Sequence, residues 1–366
     1  MHIYVHVPFC ARRCAYCDFA IAVRREVPSR AFVEAVRVEW ARWREEPVWD
    51  DVESLGTVYF GGGTPSRLAP DAIAELLALL TGVVPLAADA EVTLEANPED
   101  VSPDAARAWA VAGVNRVSLG VQSFDPAVLR WMHRTHSAGD VPRAVAVLRE
   151  AGIAALSLDL IYALPPALDR DWDADLDQAL ALAPDHLSLY GLTVEPGTPL
   201  GRWTARGDTV GPPDERYAAE FLRAHARLGA AGYEHYEVSN YARPGRRARH
   251  NGAYWRQVDY IGLGPSAHAR AGGERRWNVR EWEAYRRAAE AGATLVAGHE
   301  RLDADADRLE RLYLGLRTDA GVPSEALPAE VAARWVQQGW ASAFGGRLRL
   351  TAEGWLRLDA LVASVA

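Results

Sequence analysis

The feature that most constrains this chain is an alternation of short apolar runs with amphipathic stretches over its first two-thirds. The apolar runs are Ile3–Val7, Thr57–Phe60, Glu91–Glu95, Arg116–Val121, Ala155–Ile161 and His186–Leu192. The stretches with helical periodicity are Ser29–Glu45, Asp71–Leu80, Pro103–Ala112, Gly139–Ala151 and Asp173–Leu182. Strands that alternate with helices pair in parallel through right-handed crossovers, so the pattern predicts an α/β fold.

The number of strand–helix units is smaller than in a complete β/α barrel, which predicts either a partial barrel or a doubly wound sheet.

Particular residues also predict where the helices begin and end. Ser29 and Ser102 occupy positions typical of N-caps, and Pro103 fits the first helical position. Gly113 and Gly152 follow two helices as C-terminal stops.

The last third of the chain differs in character. After Pro212 come a helical stretch, the run Tyr233–Tyr241 and an arginine-rich loop. From Arg301, helices and a short strand suggest a winged-helix-like α+β module, over Arg308–Leu316, Pro328–Gln337, Arg347–Leu350 and a last helix from Ala352. We therefore predict three parts, residues 1–211, 212–300 and 301–366.

Composition and charge exclude several classes of protein. The formal charge of −9 argues against a nucleic-acid binder, which needs a basic surface. No uninterrupted apolar stretch approaches the length of about 18 residues that a membrane helix needs. The first residues lack the basic, apolar and small-residue regions of a secretion signal, so we expect a cytoplasmic protein without an integral membrane segment.

All three cysteines of the chain lie on one short segment after the first apolar run, at Cys10, Cys14 and Cys17. An odd, clustered set favours a metal over disulfides. Three thiolates can hold three irons of a cubane and leave the fourth iron open to another ligand. The alternative is structural zinc, which needs four protein ligands. No second cysteine pair exists, and His6 is a poor fourth ligand because it lies within a predicted strand.

Glycine or polar residues follow the predicted strands. These ends are Gly61–Pro65, Glu95–Pro98, Gly120–Phe124, Asp159–Pro165 and Tyr190–Thr193. Ligands of parallel barrels bind at the carboxyl ends of the strands, so we expect one pocket close to the cysteines. Taken alone, a glycine run is more often a plain turn, and a polar residue at a strand end is more often a cap. The placement of all these residues at the same ends of the strands favours a binding site.

The spacing Cys-x3-Cys-x2-Cys after a first strand resembles the radical S-adenosylmethionine superfamily. The resemblance implies a partial (βα)6 TIM-like barrel and a 4Fe–4S cluster held by the three cysteines. It also implies S-adenosylmethionine chelated to the open iron through its amino and carboxylate groups. In that superfamily, one electron from the cluster cleaves the cofactor to a 5′-deoxyadenosyl radical.

Matched motif by motif, the resemblance implies ten cofactor-binding residues: Tyr4, Tyr16, Gly62, Gly63, Thr64, Glu95, Gln122, Arg134, Asp159 and Thr193. Glycines let the backbone approach the methionine groups without a Cβ clash. The Glu95 carboxylate suits the cationic sulfonium and ammonium, and Asp159 and Gln122 offer partners for ribose hydroxyls. Arg134 can pair with the cofactor carboxylate in bidentate fashion. The backbone of Tyr16 would face the adenine.

Longer motifs resemble the branch of the superfamily that contains oxygen-independent coproporphyrinogen III oxidases and the HemW-type heme chaperones. They are Ile3–Cys10, Phe60–Pro65, Leu119–Phe124 and Asp159–Tyr162. The oxidases have a further cysteine two positions after the third cluster ligand, where this chain has Phe19, and they carry an N-terminal extension. Both departures favour the chaperone type.

The segment His250-Asn251-Gly252-Ala253-Tyr254-Trp255 matches the His-Asn-x-x-Tyr-Trp motif of HemW-type proteins. The resemblance implies heme contact by His250, Asn251, Tyr254 and Trp255, since imidazole is a common axial ligand and an aromatic pair can line the macrocycle. Nearby arginines offer counter-charges to the propionates: Arg243, Arg246, Arg247 and Arg249. The alternative is a solvated basic loop with a structurally satisfied histidine. The motif leaves open whether the imidazole ligates the iron or shapes the site.

The resulting interpretation is a radical S-adenosylmethionine-type heme chaperone that binds the cluster, the cofactor and heme and delivers heme to acceptor hemoproteins. One alternative is an enzyme that oxidatively decarboxylates porphyrinogen propionates, and another is a zinc-stabilised barrel. The glycine-rich turn Gly262–His268 resembles a family segment that closes over the cofactor, with a plain structural turn as the alternative. The sequence leaves open a homodimer around heme and cofactor cleavage in the working cycle.

Overall fold

The protein, described here for residues 1–365 by a computed structural model, forms a large sheet covered by helices and a smaller sheet near the C-terminus. The strands are β1 His2–Val7, β2 Phe9–Cys10, β3 Ala22–Val23, β4 Leu55–Gly62, β5 Leu86–Ala96, β6 Arg116–Gln122, β7 Ala155–Tyr162, β8 His186–Gly191, β9 Glu234–Glu237, β10 Asn240–Ala242, β11 Tyr260–Leu263, β12 His268–Ala271, β13 Glu274–Asn278, β14 Val296–Glu300, β15 Val322–Pro323, β16 Ala341–Phe344 and β17 Arg347–Leu350. The helices are α1 Ser29–Trp43, α2 Pro70–Thr81, α3 Pro103–Ala112, α4 Pro126–Trp131, α5 Asp140–Glu150, α6 Trp172–Ala181, α7 Pro199–Ala205, α8 Asp214–Ala230, α9 Arg249–Trp255, α10 Trp282–Glu290, α11 Ala304–Leu316, α12 Ala329–Gln337, α13 Ala352–Trp355 and α14 Leu358–Ala363.

Six parallel strands form the centre of the large sheet, in the order β1-β4-β5-β6-β7-β8. This order follows the chain without the reversal that defines a doubly wound sheet, so the partial (βα)6 barrel is the confirmed alternative. Strands from the middle of the chain extend both edges. β11 pairs with β1 in parallel and continues into antiparallel β12, β13 and β14, while β10 and β9 add antiparallel beside β8.

The ends of the helices confirm most of the sequence predictions. Ser102 caps α3 by accepting from the backbone N–H of Ala105, and Gly113 ends that helix with a positive φ of 109°. Gly152 likewise follows α5 with a φ of 84°. The N-cap predicted at Ser29 is wrong. Its hydroxyl instead accepts from the backbone N–H of Ala69, which ties the start of α1 to the start of α2.

Side chains alternate across the central strands, and the two faces differ in polarity. On β4, Val58 and Phe60 are buried in the apolar core beneath the helices. Thr57 and Tyr59 on the opposite face hydrogen-bond to polar groups of other elements. The barrel interior, called the lumen below, is therefore polar, which is unusual for a filled barrel and points to a ligand.

The C-terminal region contains the small sheet, in the order β15-β17-β16, and helices α11 to α14. The predicted strand Arg347–Leu350 is confirmed as β17. This region packs on the barrel: Thr318 bridges to Glu237 of β9, and the Trp355 ring lies 4.4 Å from that of His235. The division at residues 211 and 300 stays a prediction.

Membrane insertion through a helix has no support among residues 1–365, where no helix has both the length and the apolar character to span a bilayer.

Candidate functional site

A cavity of about 620 Å³ opens at the carboxyl ends of the central parallel strands. Its size is in the range of small-molecule and cofactor sites, roughly 300 to 1,000 Å³. Cys10, Cys14 and Cys17 line it, together with nine of the ten residues predicted to bind the cofactor: Tyr16, Gly62, Gly63, Thr64, Glu95, Gln122, Arg134, Asp159 and Thr193. Tyr4, the tenth, lies behind the wall, where its hydroxyl is 3.0 Å from His6 Nδ1.

The loop that carries the cysteines is held in place by backbone hydrogen bonds and apolar contacts. The Ala15 N–H donates to the carbonyl of Met132 at 3.2 Å, and the Leu200 N–H donates to the carbonyl of Ala15 at 2.8 Å. The Tyr16 side chain packs on a small apolar cluster that contains both Met132 and Leu200. These contacts to α4 and α7 present the thiols to the cavity.

The environment of the thiols fits a cluster better than free cysteines. Burial raises the pKa of Cys10, and burial raises the pKa of Cys17 to about 11, so the thiolates need a nearby cation to persist. Among residues 1–365, no group of three or more His, Cys, Asp and Glu side chains is arranged to hold a metal ion. A cubane makes a different demand, because each thiolate ligates a different iron and the fourth iron takes an external ligand.

The glycine run at the end of β4 is required by packing against β1. A Cβ on Gly63 would lie 2.7 Å from the Pro8 carbonyl carbon, and one on Gly62 would lie 2.5 Å from the His6 ring. Gly62 also has a positive φ of 108°, which favours glycine. The groups that these glycines approach in this structure belong to the segment that leads to Cys10, and their predicted approach to the methionine groups of S-adenosylmethionine stays a prediction.

Glu95 at the end of β5 is a partly buried carboxylate held in one orientation. The Tyr59 hydroxyl donates to its Oε1 at 2.7 Å and the Gly62 N–H donates to its Oε2 at 2.9 Å. Burial raises the pKa of Glu95 to about 7, and the neighbouring Asp159 adds to this rise. A cationic ligand in the cavity would favour the ionised carboxylate.

Asp159 on β7 is the second partly buried carboxylate that faces the cavity. The Ser118 hydroxyl lies 2.9 Å from both carboxylate oxygens, and the Ser157 hydroxyl lies 3.3 Å from Oδ1. Burial raises the pKa of Asp159 to about 6. Two such carboxylates facing one cavity match a cofactor that carries two positive groups, so the residues fit S-adenosylmethionine.

Gln122 and Arg134 lie on the β6 side of the cavity. Gln122 has a positive φ of 66°, an uncommon conformation for this residue type that is often found at functional sites. Arg134 Nη2 donates to Asn97 Oδ1 at 2.5 Å and to the Gly120 carbonyl at 2.9 Å, and Nη1 lies 3.7 Å from Cys14 Sγ. Within the described residues, the buried Nε lacks a partner, so a bidentate bond to a carboxylate requires a rearrangement of this side chain.

The residues predicted to contact heme lie away from this cavity. His250 on α9 has 1% of its surface exposed, with Nδ1 2.6 Å from Thr57 Oγ1 and Nε2 2.8 Å from the Tyr254 hydroxyl. The Trp255 ring lies under the Arg317 guanidinium at 4.6 Å. Asn251 is partly exposed on the same helix. The structure thus places the four residues together on α9, and both imidazole nitrogens of His250 are hydrogen-bonded within the protein.

The four predicted propionate counter-charges have protein neighbours. Arg247 forms a two-pronged ion pair with Asp319 at 2.7 and 3.0 Å and a further bond to Glu234. Arg249 pairs with Asp89 at 3.0 Å, Arg246 with Asp185 at 3.4 Å, and Arg243 stacks on the Tyr233 ring at 4.7 Å.

The glycine-rich turn before β12 is also engaged within the protein. Gly264 N–H donates to buried Glu39, and His268 is exposed and absent from the cavity wall, which favours the structural-turn alternative.

Sequence reasoning missed several residues of the site. Tyr59 and Ser118 support the two carboxylates, and His133 lines the cavity. The period of two along a strand places Tyr59 on the same face as Gly61, and Ser118 on the same face as Gly120. This alternation of side chains along the strands could have identified both Tyr59 and Ser118.

The family and structural relatives agree with this geometry. Residues 4–179 match the model of the radical SAM superfamily. The chain is 42% identical to the heme chaperone HemW of Mycobacterium tuberculosis (strain H37Rv) over 371 residues, or 98% of this chain and 93% of that protein. It is 40% identical to HemW of Escherichia coli (strain K12) over 277 residues, or 74% and 70%.

Among solved structures, coproporphyrinogen III oxidase (HemN) from Escherichia coli, a radical SAM enzyme, superposes with a TM-score of 0.81. The match covers 99% of this chain and 88% of that one at 22% sequence identity, a level at which it shows the shared fold. Because these HemW relatives are at least 40% identical to it and cover 74 to 98% of its length, this chain belongs to the HemW family within the radical S-adenosylmethionine superfamily.

Proposed function

We propose that this chain is a heme chaperone that binds a 4Fe–4S cluster through Cys10, Cys14 and Cys17, holds S-adenosylmethionine on the open iron and delivers heme to acceptor hemoproteins. The observation that carries the proposal is the convergence of the cysteines and nine predicted cofactor residues on one cavity. The HemW relatives, similar over nearly the whole chain, support the chaperone role.

The residues of the cavity have distinct roles in this proposal. Glu95 and Asp159 supply negative charge to the ammonium, sulfonium and ribose side of the cofactor, and their hydrogen bonds fix their directions. The Thr64 hydroxyl donates to Cys10 Sγ at 3.5 Å, which favours the thiolate form of this ligand. The bound cluster would supply the electron for reductive cleavage of the cofactor.

Heme delivery requires a change in heme affinity. We propose that occupancy of the cluster and cofactor shifts the protein between a state that retains heme and one that releases it. Such a shift needs a difference in heme affinity between the two states.

Anaerobic reconstitution tests the chaperone proposal. Reconstituted protein should contain about four irons and four sulfides per chain, bind heme, and transfer it to an apo-hemoprotein. A Cys14→Ala variant is the matched control without a complete cluster. Equal heme affinity and equal transfer rate with and without the cluster would show that the cluster has no part in heme release.

Coproporphyrinogen III oxidation is the second candidate, favoured by the similarity of the fold to HemN. Against it stands Phe19, which occupies the position of a further oxidase cysteine and lies at the mouth of the cavity with 57% of its surface exposed. Anaerobic conversion of coproporphyrinogen III with consumption of S-adenosylmethionine would establish the oxidase and displace the chaperone proposal.

Heme contact at α9 stays a prediction, and the geometry restricts how it can occur. The His250 imidazole is bonded at both nitrogens, so ligation of heme iron requires it to leave either Thr57 or Tyr254. This restriction motivates a different role for the histidine.

A further inference from the structure

Helix α9 closes the end of the lumen opposite the cysteines. The backbone N–H groups of Arg249 and His250 donate to the Glu91 carboxylate at 3.0 to 3.1 Å. Glu91 pairs in register with Thr57, near the amino ends of the parallel strands. The Arg116 guanidinium lies 3.5 Å from the same carboxylate with a side chain that is 6% exposed. The His-Asn-x-x-Tyr-Trp segment is thus fastened to the base of the barrel.

Inside the lumen, the His250 ring contacts the residues that lead to the cavity. It stacks on the Tyr59 ring with centroids 5.0 Å apart and planes 27° apart, and the Tyr4 ring lies 6.3 Å away. Its two nitrogens are bonded to Thr57 and Tyr254, so the ring has one defined orientation. A stacked and doubly bonded ring of this kind is a rigid support for its neighbour.

The Tyr59 ring connects this support to Glu95. Its hydroxyl donates to Glu95 Oε1 at 2.7 Å. The ring fits because Gly61 has no side chain, since a Cβ there would lie 2.7 Å from Tyr59 Cε1 and 3.0 Å from Tyr4 Cε2. The lumen therefore contains a continuous column from His250 through Tyr59 to the carboxylate at the floor of the cavity.

We propose that His250 is a positioning residue for Glu95: it holds the Tyr59 ring, and through the Tyr59 hydroxyl it fixes the carboxylate that faces S-adenosylmethionine. The inference rests on the proposed function, because S-adenosylmethionine is the ligand that contacts Glu95. It gives the His250 imidazole a role within the barrel, and it predicts that heme binds without ligation by this ring.

The test compares three variants of reconstituted, full-length protein. His250→Ala removes the stack, and Tyr59→Phe keeps the ring but removes the hydroxyl that donates to Glu95. His235→Ala is the matched control, because His235 is also bonded at both nitrogens and stacked on a tyrosine, Tyr241, at 3.9 Å, without a contact to the lumen column. Circular dichroism melts establish that each variant is folded at the assay temperature.

Equilibrium dialysis with S-adenosylmethionine and heme titration by absorbance supply the two readouts. We expect His250→Ala and Tyr59→Phe each to weaken S-adenosylmethionine binding about tenfold, the scale of one hydrogen bond to a charged group. Their binding should also shift to higher pH, because the Tyr59 hydrogen bond lowers the pKa of Glu95. The heme absorption spectrum and affinity of His250→Ala should match those of the native chain, and His235→Ala should match it in every respect.

Two results overturn the inference. One is native S-adenosylmethionine binding by His250→Ala at every pH. The other is loss of heme ligation in His250→Ala with S-adenosylmethionine binding intact, which would establish the imidazole as a heme ligand. If His250→Ala does not fold, native S-adenosylmethionine binding by Tyr59→Phe overturns it. A native chain that binds no S-adenosylmethionine instead contradicts the proposed function itself.

Discussion

Single residues at the cavity show how burial prepares a site for a cation. The Glu95 and Asp159 carboxylates are partly buried in the cavity wall, and this burial raises their pKa to about 7 and about 6. Without a cation both groups are costly to ionise. Their hydrogen-bond donors, Tyr59 and the serines on β6 and β7, keep them ready for a positively charged ligand.

This arrangement predicts that S-adenosylmethionine binding depends on pH. A raised pKa leaves the carboxyl groups neutral at low pH, so affinity should increase from below about pH 6 to above about pH 7 as Asp159 and then Glu95 ionise. Glu95→Gln should lower the affinity and remove the upper part of the dependence. Equilibrium dialysis at pH values from below about 6 to above about 7 measures the affinity for S-adenosylmethionine.

Glu99 provides the matched control, because it lines the same cavity with the opposite pKa shift. Although burial opposes ionisation, the nearby His136 ring, with Nδ1 3.4 Å from Glu99 Oε2, and a hydrogen bond from Thr135 lower the pKa of Glu99 to about 2. Glu99→Gln should therefore leave the midpoint of the pH dependence in place. A midpoint that moves with Glu99 and not with Glu95 would contradict the assignment.

A second group of single residues stabilises the loops beside the cavity. Arg170, with a side chain 1% exposed, bridges Asp175 at 3.2 Å and Glu220 at 2.7 Å. Asp175 accepts from Phe124 N–H, and Glu220 accepts from Ala163 N–H, both at 2.7 Å. The loops after β6 and β7 are thus fastened to α6 and α8.

Removal of the Arg170 charge should be strongly destabilising, because it leaves the buried Asp175 carboxylate without its cation. Glu220 also loses this partner and keeps only Arg216, at 2.8 Å. We expect Arg170→Met to lower the free energy of unfolding by about 3 to 5 kcal/mol. The exposed pair of Arg223 and Asp173 is the control, and Arg223→Met should lower it far less, because solvent screens an exposed ion pair. Urea unfolding of both variants measures the difference, and equal losses would contradict a special role for the buried pair.

At the scale of elements, the end of β4 controls the path of β1 into the cysteine loop. Gly63 N–H donates to the Val7 carbonyl at 2.8 Å, and its Cα faces the backbone of Pro8. Two strand ends in such close contact cannot move independently.

Gly63→Ala should therefore push the two strand ends apart. We expect a loss of about 1 to 3 kcal/mol in unfolding free energy, as for other overpacked sites, and a lower iron content after reconstitution. Gly229→Ala in α8 is the control, since a Cβ there meets open space and alanine favours a helix. Full iron loading and native stability of Gly63→Ala would show that the backbone contact is not needed.

The prediction of elements from sequence succeeded where local signals are strong. Periodicity found the six central strands and their helices, and Ser102 and Gly113 marked the ends of α3. It failed at Ser29, where a contact to Ala69 of another helix replaced the cap. It also started α11 late, at Arg308, whereas Asp303 caps a helix that begins at Ala304.

At the scale of the whole molecule, the sequence predicted the cavity but not the lumen below it. Strand ends of a parallel barrel must meet, so the cysteines and nine cofactor residues could be assigned to one place. The position of His250 could not, because its contact with Glu91 joins residues 159 positions apart and depends on how α9 returns beneath the barrel. Local patterns contain no information about such a return.

The most direct test of the account is the electron paramagnetic resonance spectrum of reduced, anaerobically reconstituted protein with and without S-adenosylmethionine. We expect a 4Fe–4S signal whose g-values change when the cofactor is added, because it binds the iron that Cys10, Cys14 and Cys17 leave open. Protein that forms no such cluster, or a signal that S-adenosylmethionine leaves unchanged, would contradict the central claim.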